Sequence, residues 1–87
     1  MKFTVAMSPV AEHQLALIWL QADNREGVSE AFNRIETLLK TDAHRLGRLH
    51  PSGWRVMTLL PLAVTFKVSE DDRLVTIMSV FYRPDHP

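Results

Sequence analysis

The chain has 87 residues, too few for two separate cores, so residues 1–87 are read as a single domain. Ten Lys and Arg balance ten Asp and Glu, which excludes a polycation that coats nucleic acid through bulk charge; the absence of cysteine excludes disulfides, a thiolate zinc site and a thiol nucleophile. The N-terminus lacks the apolar core of a signal peptide, and no stretch approaches the ~20 apolar residues of a membrane span, so the expectation is a soluble, cytoplasmic protein with no membrane partner.

Residues 2–7 alternate in a strand pattern that puts Phe3, Val5 and Met7 on one face. Ser8-Pro9 then supplies a good N-cap and a residue suited to the first helical position. Val10, Ala11, Leu15, Ile18 and Trp19 recur near helical spacing, and Leu17 and Leu20 widen the apolar face, so this helix is expected to be covered on most sides with Trp19 in the core. Asp23 and Glu26 have the spacing of a capping box. The next helix is the clearest signal: Val28, Ala31, Phe32, Ile35, Leu38 and Leu39 form one stripe, with Glu30–Arg34 and Glu36–Lys40 as i, i+4 pairs on the wet side. The short link between the two predicts an antiparallel helix hairpin.

Residues 41–53 read as a loop holding Gly47, Pro51, Ser52 and Gly53. Three strands follow: 54–60, ended by Pro61; 62–68, with Leu62, Val64, Phe66 and Val68 on one face; and 74–81, after the polar turn Ser69-Glu70-Asp71-Asp72. The expected class is α+β, order β-α-α-β-β-β, with the helix hairpin packed on one face of a small, mainly antiparallel sheet. No element remains to cover the opposite face, which makes it the natural place for a ligand.

The balanced net charge hides an asymmetry. Residues 1–42 hold four basic and six acidic side chains, whereas residues 43–57 hold Arg45, Arg48 and Arg55, with His44 and His50, and no acid. Such a run suits phosphate, because arginine offers a fork of donors matched to phosphate oxygens; the alternative is a solvated edge that keeps sheets from pairing. Tyr82 and Arg83 join the run if the strand ends converge. The four histidines show no ligand spacing, so no metal and no cofactor is expected. Trp54 is read as core, the alternative being an edge of the open face where it would stack on a base.

An ordered set of residues now becomes familiar: Phe3-Thr4-Val5, Ser8-Pro9 with Ala11-Glu12, Leu15 with Ile18-Trp19, Arg25-Glu26, Ile35-Glu36 with Leu39, Leu46-Gly47, Gly53 with Arg55, Pro61-Leu62-Ala63-Val64, Phe66-Lys67-Val68, and Asp72-Arg73-Leu74-Val75 with Ile77 and Val80. Spread over nearly the whole chain, it resembles the RelE/ParE superfamily of toxins from type II toxin–antitoxin pairs, which includes plasmid stabilisation system proteins. The resemblance implies a sheet cupped around a basic groove with a helix hairpin behind it, and a cognate antitoxin as partner. RelE-like members are metal-independent endoribonucleases that cut mRNA on the ribosome; ParE-like members poison DNA gyrase.

Carried over residue by residue, the resemblance places Arg55 at a basic position of the strand after the loop and Arg83 at one just after the last strand, both expected as catalytic groups that bind the scissile phosphate, with Tyr82 or His50 assisting. Tyr82 or His86 would supply an aromatic or acid–base group, and Arg45, Arg48 and His50 would bind RNA or phosphate. Two departures stand out: Met57 and Ala63 occupy positions where many of the RNases carry a cation. The first expectation is a ribosome-associated mRNA endonuclease; the alternatives are a gyrase-directed toxin and a degenerate, non-toxic member that binds an antitoxin. A homodimer through an exposed sheet edge is also open.

Overall fold

The structure, a computed structural model, describes residues 2–84; His86 lies outside the described residues. The elements are β1 (Thr4–Met7), α1 (Pro9–Gln21), α2 (Arg25–Asp42), a 3-10 turn (Ala43–Arg45), β2 (Arg48–Leu49), β3 (Arg55–Leu59), β4 (Leu62–Ser69) and β5 (Leu74–Tyr82). They form one five-stranded sheet in the order β1-β5-β4-β3-β2, antiparallel except for the parallel pair β1–β5. The expected class and order hold, with one strand added. Within the stretch read as loop, α2 continues to Asp42 and β2 pairs briefly with β3; two residues are too few to show a period.

The helix hairpin covers one face of the sheet. That face carries Leu62, Val64 and Phe66 of β4 and Val75, Ile77 and Val80 of β5, buried against Val28, Ala31, Ile35 and Leu39 of α2. Each large apolar side chain fully withdrawn from water there is worth about 1.5–3 kcal/mol. The step from Ile77 to Val80 breaks strict alternation, and the cause is a bulge. Thr65 pairs with Ser79 and Phe66 with Ile77, so Met78 is the extra residue that restores the inward face to Val80.

Ser8 caps α1 as expected: its Oγ accepts from the Ala11 N–H at 3.0 Å, with Pro9 next in the chain. The same hydroxyl donates to the Met78 carbonyl at 2.9 Å, the Ser8 N–H reaches the Ile77 carbonyl at 2.9 Å, and Gln14 Oε1 accepts from the Val80 N–H at 2.8 Å. β5 is nine residues long and β1 only four, so α1 completes the edge that β1 leaves open.

Two expectations are corrected. The cap of α2 is Asn24, whose Oδ1 accepts from the Gly27 N–H at 2.9 Å, and not Asp23 of the supposed capping box; the helix begins one residue later than that box requires. Trp19 is not core but 40% exposed. The Arg25 guanidinium lies 4.9 Å from its ring centroid, and the Trp19 indole N–H donates to Ser29 Oγ at 3.1 Å. Arg25 also donates to the Trp19 and Leu20 carbonyls at 3.0 and 2.9 Å, supplying the cation that the last turn of α1 lacks.

Gly47 has φ +72, and a Cβ there would collide with the Val56 carbonyl; Gly53 has φ +99 but open space around it. Gly47→Ala is therefore expected to destabilise the domain by at least about 2 kcal/mol, and Gly53→Ala by only about 1 kcal/mol, in urea melts.

Candidate nucleic-acid interface

The register sorts the charged residues onto two sides. Met57 pairs with Val64 and Arg55 with Phe66, so Arg55 lies on the helix side of β3, while Val56 and Thr58 lie on the open side with Ala63, Thr65 and Lys67 of β4. Across the next ladder, Lys67 pairs with Thr76, Thr65 with Ser79 and Ala63 with Phe81. Arg48 pairs with Val56 and so joins the open face from β2. Thr65, at the centre, is buried, and its hydroxyl is hydrogen-bonded to that of Ser79.

Beyond β2 the hairpin closes through the His50 N–H to the Trp54 carbonyl at 2.7 Å and the Gly53 N–H to the His50 carbonyl at 2.9 Å. The His50 and Trp54 rings stack at 5.9 Å with an interplanar angle of 28°. Trp54 thus takes up the edge position rather than the core. His50 Nδ1 accepts the Ser52 N–H at 3.1 Å and lies 2.8 Å from Ser52 Oγ. An N–H requires a lone pair, so the proton of the neutral ring sits on Nε2. Arg48, His50, Val56 and Thr58 line a hollow of about 360 Å³ on this face.

The candidates named from sequence do not all meet there. Arg48 and His50 do. Arg45 is exposed and held by Asp42, Nη2 to Oδ1 2.7 Å, and that bond keeps the Asp42 carboxyl below the usual carboxylate range. Arg55 is half-buried, its Nη1 donating to the Leu46 carbonyl at 3.2 Å. Tyr82 pairs with Leu62 on the helix side and borders a hollow with Asn24, Gly27, Leu60, Pro61 and Pro84. Arg83, exposed, sends its N–H to the Pro61 carbonyl at the end of the sheet remote from the His50 hairpin. Arg55, Tyr82 and Arg83 therefore do not converge on one site. Strand alternation is the reason: a buried Met57 forces Arg55 inward. The same rule marks Lys67, between Phe66 and Val68, as a cation of the open face that the charge-run reading missed.

On the other side of the molecule α1 is apolar nearly all round. Val10 and Leu20 are 59% and 58% exposed, and a groove of about 680 Å³ runs between the helices, lined by Met7, Leu15, Trp19, Leu20, Val28 and Phe32 among others.

The same architecture recurs in solved toxin structures. The RelBE2 toxin–antitoxin complex of Mycobacterium tuberculosis contains a chain that superposes with a TM-score of 0.79 at 17% identity, over 98% of this chain and 95% of that one. This is the RelE/ParE fold. The chromosomal ParDE system of P. aeruginosa gives a TM-score of 0.72 at 18% identity, over 97% and 98% of the two chains, and the isolated E. coli RelE toxin 0.57 at 12%, over 98% and 87%. No family model and no curated protein sequence matches the chain. The RelE/ParE fold expected from the scattered residues is therefore found, on shape rather than on identity. Among the described residues no helix is long and apolar enough to cross a membrane, and no cluster of His, Asp or Glu could hold a metal ion.

Within this RelE/ParE fold Arg55 holds the chain leading into β2, and Arg48 holds nothing among the described residues. Arg55→Ala is expected to lower stability by about 1.5–3 kcal/mol in denaturant melts, the scale of a charged hydrogen bond, whereas Arg48→Ala leaves the midpoint unchanged.

Proposed function

We propose that the chain is the toxin of a type II toxin–antitoxin module and acts as a ribosome-associated, metal-independent mRNA endonuclease through the open face of its sheet. The observation that carries this reading is the set of cations and aromatics gathered on that face: Arg48, His50, Trp54 and Lys67, placed by the register and the hairpin stack. Aromatic rings interleaved with cations are what a single strand of RNA requires, stacking for its bases and charge for its phosphates.

Cleavage without a metal begins with attack of a ribose 2′-oxygen on the adjacent phosphorus, its proton passing to water; the P–O5′ bond breaks, a 2′,3′-cyclic phosphate remains, and the leaving 5′-oxygen takes up a proton. Arg48 and Lys67 would hold the charge growing on the phosphate oxygens. An arginine keeps its protons, and the Nδ1 lone pair of His50 is engaged by Ser52, so Lys67 is the group we assign to protonating the leaving oxygen.

A second reading has its own support. The centre of the open face is uncharged, with Val56, Ala63, Thr65, Ser79 and Phe81, and Ala63 stands there where a cation was expected. A surface of that kind suits a ParE-like toxin that binds DNA gyrase without cutting RNA. The partner in either case is an antitoxin, for which we assign the α1–α2 groove. It has Glu12 in its wall and Arg25 over Trp19, so an amphipathic helix carrying a basic and an acidic residue at opposite ends would fit it.

5′-end mapping of a reporter mRNA in a bacterial cell-free translation reaction separates the two toxin modes. New ends that need ribosomes are expected with the wild type, and Arg48→Ala or Lys67→Ala should each reduce them about 100-fold or more. Intact mRNA together with inhibited gyrase supercoiling would transfer the assignment to the second reading. For the partner, Leu20→Asp is expected to weaken the complex with the antitoxin encoded beside this chain by tenfold or more, about 1.4 kcal/mol, without changing its circular-dichroism melt.

A further inference from the structure

We infer that Ser79 and Thr65, facing each other at the centre of the open face, form a ribose-reading site that holds the attacking 2′-hydroxyl of the RNA in line with phosphorus. The inference rests on the endonuclease reading and adds to it which groups orient the nucleophile.

Two observations carry it. The first is a polar pair where an apolar one would pack as well. Thr65 is 7% exposed and is the one buried polar side chain among the described residues. Its hydroxyl is bonded to that of Ser79, which is half-buried. Burying hydroxyls is unfavourable unless they are partnered. Two hydroxyls carry two protons, and their mutual bond uses one, so one O–H is still to be given and lone pairs are still to be filled.

The second observation is the bulge. Lys67 pairs with Thr76 and Phe66 with Ile77, and that register, continued unbroken, would set Met78 against Thr65. The extra residue sets Ser79 there instead. A bulge re-aims a side chain. Here it exchanges a thioether for a hydroxyl opposite the buried hydroxyl of the face.

The position fits the chemistry. Thr65 lies two residues along β4 from Lys67, about 7 Å, and Arg48 joins the row of Thr65 through Val56. A 2′-oxygen attacks phosphorus from the side opposite the leaving oxygen. With Lys67 on the leaving oxygen and Arg48 on the phosphate, the nucleophile falls on the side of the hydroxyl pair. The pair removes no proton: as the O2′–P bond forms and the P–O5′ bond breaks, the 2′-proton passes to water. Ser79, the less covered of the two, touches the ribose, and Thr65 is a positioning residue acting through it. A 2′-hydroxyl both gives and takes a hydrogen bond, as the pair does; a deoxyribose does neither.

Away from the ribosome, binding reads the sugar without cleavage. Fluorescein-labelled strands of one sequence, RNA and its 2′-fluoro counterpart, carry the same phosphates and the same ribose pucker, so anisotropy titrations of the purified chain report the hydroxyl. The RNA is expected to bind about fivefold more tightly. Ser79→Ala should erase that preference, keep the affinity for the 2′-fluoro strand, and slow ribosome-dependent mRNA cleavage about tenfold or more. Thr65→Val should do the same, and Thr65→Ser should retain both preference and rate. A packing role predicts the reverse, since valine keeps the shape of threonine and serine does not. Equal affinity of the wild type for the two strands would overturn the ribose site, while wild-type mRNA ends would keep the endonuclease reading. A preference that survives Ser79→Ala combined with Thr65→Val would overturn it too, because another group would read the sugar. If neither strand binds the free chain, the mapped ends decide: ends at the wild-type rate from Ser79→Ala overturn the site alone, and no ends from the wild type overturn it together with the endonuclease reading.

Discussion

The fold depends on how the long edge of β5 is satisfied. Thr4–Met7 can pair with Leu74–Ile77 only, and the remaining polar groups of β5 on that side would face an apolar helix with no partner. Buried N–H and carbonyl groups are costly when orphaned. Ser8, the cap of α1, and Gln14 within it remove that cost, and in doing so they fix where α1 crosses the sheet. Met78, the bulged residue, offers its carbonyl to Ser8 at the same point, so the helix, the bulge and the inward turn of Val80 form one linked arrangement.

Much of this was legible in the sequence, and the limits have physical causes. The stripe of α2 follows from periodicity over about three turns, and Ser8-Pro9 from cap chemistry; both are local properties. Asn24 against Asp23 is a choice between adjacent cap formers, and periodicity does not resolve one residue. Trp19 reads as core because its neighbours are leucines, yet a helix apolar on most sides has more hydrophobic surface than one small sheet can cover. At the candidate site the basic run of residues 43–57 was visible, but a run is not a surface. Only the pairing of β3 with β2 and with β4 puts Arg48 and Lys67 on one side and Arg55 on the other, although the apolar Met57 already carried the information for Arg55.

The two exposed surfaces lie on opposite sides of the sheet. The hydrophobic groove of α1 and α2 is separated from Arg48, His50 and Lys67 by a core layer that includes Phe66 and Ile77. A partner confined to the groove would leave the basic face accessible. Silencing through such a partner requires either a segment that wraps around an edge of the sheet or bulk that prevents the face from approaching a large target.

The parallel pair β1–β5 also bears on synthesis. β1 and α1 leave the ribosome well before residues 73–80, on which their hydrogen bonds end. Until those residues emerge, α1 has neither its edge nor its floor, and the nascent chain holds a largely apolar helix without a site. The open face, which takes Thr76, Ser79 and Phe81 from β5, thus comes into existence only after all of α1 and α2 has been made.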